Sequence, residues 1–174
     1  MNLDQASSQV LKLRFVIAED CKMIWEWAND PAIRSVSFST EPISWENHSK
    51  WFSAKLLDPD CLFFIVLGSD DIPIGQIRYE VGGNEAVVSV SVAPGERGKG
   101  YGSQIIQSAS QKVFESTPIV LIHAYIKPDN LSSIRAFTRA GFSYSGLVEV
   151  RGNLAQDYIM QRKVEKDDKK LSTL

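Results

Sequence analysis

The chain has 174 residues, 44% of them hydrophobic, and a formal net charge of −2. This length favours one domain with a sizeable core, and the near-neutral charge gives no electrostatic basis for binding nucleic acid. Residues 1–9 are polar, so we expect no secretory signal there, and no apolar run reaches the ~20 residues of a membrane span. Cys21 and Cys61 lack metal-ligand spacing, so we expect packed thiols in a reduced, cytoplasmic protein without a metal.

Hydrophobic periodicity, taken in chain order, predicts seven strands and four helices. The predicted strands are residues 11–17, 62–67, 74–80, 87–92, 119–126, 144–150 and 156–162, and the predicted helices are 19–29, 44–57, 103–114 and 131–140. Asp30–Pro31 ends the first helix, Ser44 caps the second, and Gly141 follows the last.

The order β-α-α-β-β-β-α-β-α-β-β predicts an α/β fold. We expect a single-domain mixed sheet of about seven strands flanked by helices, antiparallel in its first half. Residues 10–163 form this predicted domain. The charged, lysine-rich residues 164–174 are predicted to be a frayed tail.

A glycine-rich turn, Arg97–Gly102 (RGKGYG), joins the fourth strand to the third helix. Three glycines in five residues let the backbone turn tightly and approach a ligand, and main-chain N–H groups at a helix start suit a pyrophosphate. A P-loop is excluded because Tyr101-Gly102 stands where Lys-Ser/Thr is required. A dinucleotide fingerprint is disfavoured because its third glycine comes one residue early. A plain surface turn remains the alternative.

This region, from Val88 to Gln104, resembles the acetyl-CoA pyrophosphate loop of the GCN5-related N-acetyltransferases (GNAT). A later segment, Asn130-x-x-Ser133-x-x-x-Phe137-x-x-x-Gly141-Phe142, is similar to that family's second motif. The two motifs have the family's usual separation, and the element order matches across nearly the whole chain. The resemblance implies acetyl-CoA as co-substrate and a small-molecule amine as acceptor.

The resemblance also implies a cofactor-binding set. Main-chain N–H groups of the glycine turn would bind the pyrophosphate, and the fourth strand would splay from its neighbour and pair with the pantetheine arm. Asn130 has an alternative role as a helix N-cap. The implied residues are Val90, Ser91, Val92, Arg97, Gly98, Lys99, Gly100, Tyr101, Gly102, Ser103, Asn130, Ser133 and Phe137.

The N-terminal half has a narrower resemblance, to acetyltransferases that modify nucleotide-linked amino sugars. It rests on Trp25-x-Trp27-x-Asn29-Asp30-Pro31-x-x-Arg34 and on Ile43-x-x-x-x-His48-x-x-Trp51-Phe52. Arg34 and His48 are polar residues among aromatics and would contact the acceptor, although a satisfied structural histidine is an equal alternative. The predicted reaction is acetyl transfer to a primary amine of a nucleotide-linked amino sugar. The alternatives are a protein N-terminus, a small polyamine, or a non-catalytic acyl-CoA-binding module.

The general base does not stand where relatives usually carry it. Many relatives have a glutamate at the position that aligns with Val87. The candidates that remain are Glu80, Glu85 and Ser91, with Ser89 as a further residue that could order water; each also has a structural or solvated interpretation. An amine of pKa near ~8 needs only about 1.4 kcal/mol to become neutral at pH 7, so a water-mediated base would suffice.

The residue that acts as the general acid in many relatives is also missing from its usual position. Many relatives have a tyrosine where this chain has Phe137, which carries no proton to give. Water, or another tyrosine such as Tyr144, would protonate the departing thiolate. His123 lies inside a predicted strand and is interpreted as a packed or surface residue.

Overall fold

The computed structural model describes residues 11–163, so the first predicted domain residue and the predicted tail at 164–174 lie outside the described residues. Strands β1–β7 are Lys12–Phe15, Cys61–Leu67, Pro73–Gly82, Glu85–Val92, Leu121–Ile126, Ser143–Val150 and Asn153–Gln161. Helices α1–α5 are Cys21–Ala28, Pro31–Val36, Trp45–Leu57, Tyr101–Ser116 and Leu131–Arg139. Three short 3₁₀ turns, 18–20, 69–71 and 94–96, complete the regular elements of this range.

The seven strands form one sheet in the order β1-β2-β3-β4-β5-β7-β6. Every neighbouring pair is antiparallel except β4 and β5. The predicted mixed sheet, antiparallel in its first half, is therefore confirmed. Helices α4 and α5 pack on one face over the larger core, and α1 and α3 pack on the other face over Phe63 and Ile65 of β2.

The region between β1 and β2 differs from the prediction, which had two helices there. Asp30 follows Asn29, the C-cap of α1, and its side chain accepts a hydrogen bond from Ala32 N (3.0 Å) and caps a further short helix, α2. Pro31 stands at the first turn of α2, where its missing N–H costs nothing. A proline that we interpreted as a stop is here the start of the next helix.

The parallel pair β4–β5 is joined along only part of its length. Pairing runs from Glu85 with Leu121 to Val87 with His123 and then ends. Beyond His123, β5 continues to pair with β7, while β4 continues to pair with β3 as far as Val92. The sheet is thus split down its middle at the carboxyl ends of β4 and β5.

Candidate active site

Two connected cavities lie at this split, with volumes of about 390 and 890 Å³. The smaller cavity lies between the end of β4, the glycine turn and α5, and the larger lies under α1–α3 against the other face of the sheet. We call the residues that line both cavities the junction; they are Ile33, Val36, Val90, Ser91, Asn130, Ser133 and Phe137. A molecule in one cavity can therefore meet a molecule in the other there.

The glycine turn forms one wall of the smaller cavity. Gly98 and Gly100 have φ of +77° and +83°, a conformation that other residues rarely adopt. A Cβ at either position would meet no atom of the protein within 4 Å, so it would project into open space. Gly100 is the N-cap of α4, and an α-helix leaves its first N–H groups without intrahelical acceptors. Such a surface suits an anion.

The predicted cofactor residues lie around this smaller cavity, with one exception. All of them line it apart from Lys99, whose ammonium pairs with Glu96 at 2.9 Å. Arg135 and Arg139 of α5 add two cationic side chains that the sequence prediction did not include. The cavity therefore combines main-chain donors with positive charge, as phosphate groups require.

Arg97 connects the glycine turn to the N-terminal helices. Its Nε donates to Val92 O (3.2 Å) and its Nη1 to Asp30 Oδ1 (2.6 Å), and this bond lowers the pKa of the Asp30 carboxyl. Its Nη2 is buried without a hydrogen-bond partner among the described residues. A buried unpaired donor costs about 1–3 kcal/mol, so this group fits an anionic ligand at the turn.

Asn130 and Phe137 stand at the junction. Asn130 Oδ1 accepts from Ser133 N at 3.2 Å, so the helix-cap role is present, and its side chain also borders both cavities. Phe137 is 4% exposed and packs edge-on against Phe142, with 5.0 Å between ring centroids. The junction thus has an apolar wall on the side of α5.

The split exposes peptide groups of β4. Ala93 N donates to Ile74 O at 2.8 Å, and in an antiparallel ladder every second residue directs its peptide groups to the partner strand. Val88, Val90 and Val92 therefore direct theirs away from β3. The pairing of Val87 with His123 still engages the Val88 N–H, and Val92 O accepts from Arg97, which leaves Val88 O and the peptide groups of Val90 as main-chain partners for an extended ligand.

The larger cavity has a polar floor, and two of the predicted catalytic residues lie there. Glu80 accepts from Lys55 Nζ (2.6 Å) and Arg78 Nε (2.8 Å), so its carboxylate is held in ion pairs. Ser91 Oγ accepts from Gln76 Nε2 at 3.0 Å, and it belongs to the junction.

Glu85, the third predicted catalytic residue, is not brought to the junction. It lines neither cavity and begins β4, six residues before Ser91, a distance of about 20 Å along a strand.

Arg34 and His48 both border the larger cavity, but their hydrogen bonds go to the protein. Arg34 donates to Ala28 O (2.6 Å), Ser39 O (3.1 Å) and the Ser37 hydroxyl (3.1 Å). His48 is 2% exposed, its Nε2 lies 3.0 Å from the Cys21 carbonyl, and burial lowers its pKa. A carbonyl only accepts, so Nε2 carries the proton. Both residues therefore hold the wall of the cavity in place. For His48 this is the role of a satisfied structural histidine, which the sequence left open beside contact with the acceptor.

Two side chains on β5 were not among the predicted site residues. Tyr125 lines the larger cavity, and burial raises its pKa, assisted by the charges of Asp157 and Glu85, so its phenol keeps its proton at neutral pH. His123 bonds to Asp157 of β7. Tyr144, which we considered as a proton donor, is exposed on β6, packs against Tyr158 and borders neither cavity. The sequence predicts the strand that contains Tyr125, but it does not show that this side chain faces a cavity, because that depends on the strands and helices that pack around it.

The sequence matches the family model of the acetyltransferase (GNAT) domain over residues 11–143. No curated protein matches it. Aminoglycoside acetyltransferase AAC(6')-Ib, solved with paromomycin and acetyl-CoA, is 20% identical, with a TM-score of 0.78 over 87% of this chain and 93% of that one. Spermidine N-acetyltransferase from Vibrio cholerae, solved with CoA and spermine, is also 20% identical, with a TM-score of 0.77 over 87% and 95%.

An uncharacterised protein from Bacillus halodurans is 16% identical and has a TM-score of 0.78 over 92% of this chain and 88% of that one. The chain belongs to the GNAT acetyltransferase family. It is an acetyl-CoA-dependent N-acetyltransferase, as the two motifs indicated. No helix within residues 11–163 is long and apolar enough to cross a membrane, and no group of three or more His, Cys, Asp or Glu in that range is placed to hold a metal ion.

Proposed function

We propose that the acceptor is a primary amine that also carries an anionic group, with a nucleotide-linked amino sugar as the preferred candidate. The support is the charge of the larger cavity. Five of its lining side chains are cationic, namely Arg34, Lys55, Arg78, Lys127 and Arg151, and one, Glu80, is anionic. An excess of positive charge attracts a diphosphate and repels a polycation.

Three of these five cationic side chains have no anionic partner. Lys55 and Arg78 are held by Glu80, whereas Arg34, Lys127 and Arg151 have no carboxylate within ion-pair distance among residues 11–163. Arg34 already donates to Ala28, Ser37 and Ser39. Lys127 and Arg151 are therefore the residues that would bind the acceptor's phosphates, leaving its amine to reach the junction.

The smaller cavity would hold acetyl-CoA through the glycine turn and Arg97, Arg135 and Arg139, and the bound thioester supplies the acetyl group. At the junction, main-chain N–H groups of β4 donate toward the charge that develops on the carbonyl oxygen. Phe137 excludes water from one side. Tyr125, in place of Tyr144, is the phenol that can give a proton to the thiol product.

An acceptor panel tests the proposal. Release of CoA is measured with a uridine diphosphate-linked amino sugar bearing a primary amine, with spermidine, with kanamycin, and with a peptide that has a free N-terminus. We expect the highest kcat/KM for the nucleotide sugar. A higher value for spermidine or kanamycin would overturn the anionic acceptor and would favour a polyamine or aminoglycoside acceptor instead.

A charge reversal at Lys127 then tests whether this residue binds the phosphates of the acceptor. Lys127→Glu is expected to raise KM for the nucleotide sugar at least about tenfold, a loss of ~1.4 kcal/mol in binding, without changing the affinity for CoA. Lys112→Glu is the matched control, since Lys112 is exposed on α4 and lines neither cavity. Equal effects of the two substitutions would show a general effect of net charge.

A further inference from the structure

The face of the sheet that floors the larger cavity carries a cluster of ionisable side chains. His123 Nδ1 lies 3.0 and 3.1 Å from the two carboxylate oxygens of Asp157. His123 Nε2 lies 3.5 Å from Glu85 Oε2, too long for a hydrogen bond. The titratable groups that face the imidazole are thus Glu85 from β4, Tyr125 from β5 itself and Asp157 from β7.

Strand register places this cluster beside the cavity. His123 and Val87 are partners in the parallel ladder, so their side chains leave the same face of the sheet, with the strands about 4.8 Å apart. Val87 lines the larger cavity, and so does Tyr125, the next residue on that face of β5. The imidazole does not itself line either cavity. It lies beside two residues of the floor of the larger one, at a position four residues, or about 13 Å, along β4 from Ser91, so a proton would have to reach it through water.

Asp157 fixes the state of the ring. It is 7% exposed and accepts the Nδ1 proton of His123. A neutral imidazole has one N–H, so a proton on Nδ1 leaves the Nε2 lone pair free. This is the arrangement of a carboxylate that orients a histidine base.

We propose that His123, positioned by Asp157, accepts the proton that the acceptor amine loses during acetyl transfer. As the amide C–N bond forms and the thioester C–S bond breaks, the amine gives one proton through cavity water to Nε2, and the thiol product gains one. The hydroxyls of Ser89 and Tyr125, both on the cavity lining, can order that water. The inference rests on acetyl transfer to an amine and not on which amine is the acceptor.

Kinetics of three variants test the assignment, with whichever members of the acceptor panel the wild-type enzyme acetylates. His123→Gln keeps a donor for Asp157 but has no basic nitrogen, and we expect kcat/KM to fall about a hundredfold. Asp157→Asn is expected to lower it at least about tenfold. Glu149→Gln, an exposed change on β6, is the matched control and should leave the rate unchanged.

Two readouts separate catalysis from folding. His123→Gln should lose the acidic limb of the pH profile of kcat/KM while keeping the CoA-induced rise in melting temperature. Imidazole in the buffer should restore His123→Ala at least about tenfold. A pH profile that keeps its shape, or a variant that loses rate and CoA binding together, would overturn the proposal.

A spectroscopic test needs no acceptor. Long-range ¹H–¹⁵N correlation of the full chain with acetyl-CoA bound should show His123 with its proton on Nδ1 and an unprotonated Nε2 at the pH of the assay. A doubly protonated ring, or a proton on Nε2 alone, would rule out His123 as the proton acceptor, whichever amine the enzyme acetylates.

Discussion

The two cavities of the active site are built from different parts of the polypeptide. The smaller one has one wall of main chain, from the open edge of β4, two glycines with positive φ and the first turn of α4. The larger one is formed by side chains from β3, β4, β5 and the N-terminal helices, several of them held by ion pairs or hydrogen bonds. A wall made of main chain needs only local sequence, whereas a wall made of side chains needs the whole fold.

Gly100→Val tests whether the smaller cavity depends on its backbone. A β-branched residue is strained at φ +83°, and its side chain would fill space that no protein atom occupies. At a hundredfold excess over its dissociation constant, acetyl-CoA should stabilise the wild-type fold by about 2.7 kcal/mol, and the variant should lose most of this.

Thermal unfolding with and without the ligand measures the difference. Gly95→Val is the control, because Gly95 has open space around it, ordinary φ and no place in either cavity. Retention of the ligand-induced shift in Gly100→Val would contradict a binding site at the turn.

Arg34→Met tests whether the larger cavity depends on side chains that hold its wall. Removing three hydrogen bonds should lower the free energy of unfolding by about 1–3 kcal/mol and raise the acceptor KM about tenfold, while CoA affinity stays unchanged. Chemical denaturation and steady-state kinetics measure both, with exposed Lys22→Met as the control. Equal weakening of CoA binding would mean that the two cavities are not separate.

Phe137→Tyr probes the junction. The change adds the hydroxyl that many relatives carry, and we expect normal folding and a change in kcat of no more than about tenfold, or ~1.4 kcal/mol in the barrier. The reason is that a thiol leaving group of pKa ~8.5 departs readily with Tyr125 or water as proton donor. A rise in kcat far above tenfold would show that neither acts in the wild-type enzyme.

The substitution His48→Gln should have the smallest effect. It should change the pH dependence of the free energy of unfolding. Burial lowers the pKa of His48, so the folded state keeps this ring neutral while the unfolded chain takes up a proton near pH ~6.5. The ring's contribution to stability is complete above that pH and is lost as pH falls through the folded pKa. Glutamine keeps a donor for the Cys21 carbonyl but cannot titrate.

Urea denaturation at pH 7.5 and 5.5 should therefore show a larger loss for the wild type than for His48→Gln. Equal losses in both proteins would mean that the ring does not titrate as its burial requires.

The contrast between the two cavities explains which parts of the site could be predicted from the sequence and which could not. Arg97–Gly102 predicts its own turn because strand, glycines and helix are adjacent in the chain, and the motifs led to the family that the domain match shows. Tyr125 and His123 could not be placed, because they acquire neighbours only through the pairing of β5 with β4 and β7. Pro31 misled the helix count because the same residue type both follows helix ends and begins helices.

The split between β4 and β5 also predicts a pattern of hydrogen exchange. The amide of Val90 lies in the middle of a seven-stranded sheet, where slow exchange is the rule, yet it faces a gap. It should exchange quickly in the free protein, unlike the amides of Ser89 and Ser91, which are bonded to β3. An extended co-substrate that occupies the gap would act as a temporary additional strand, and protection of this amide would record its presence.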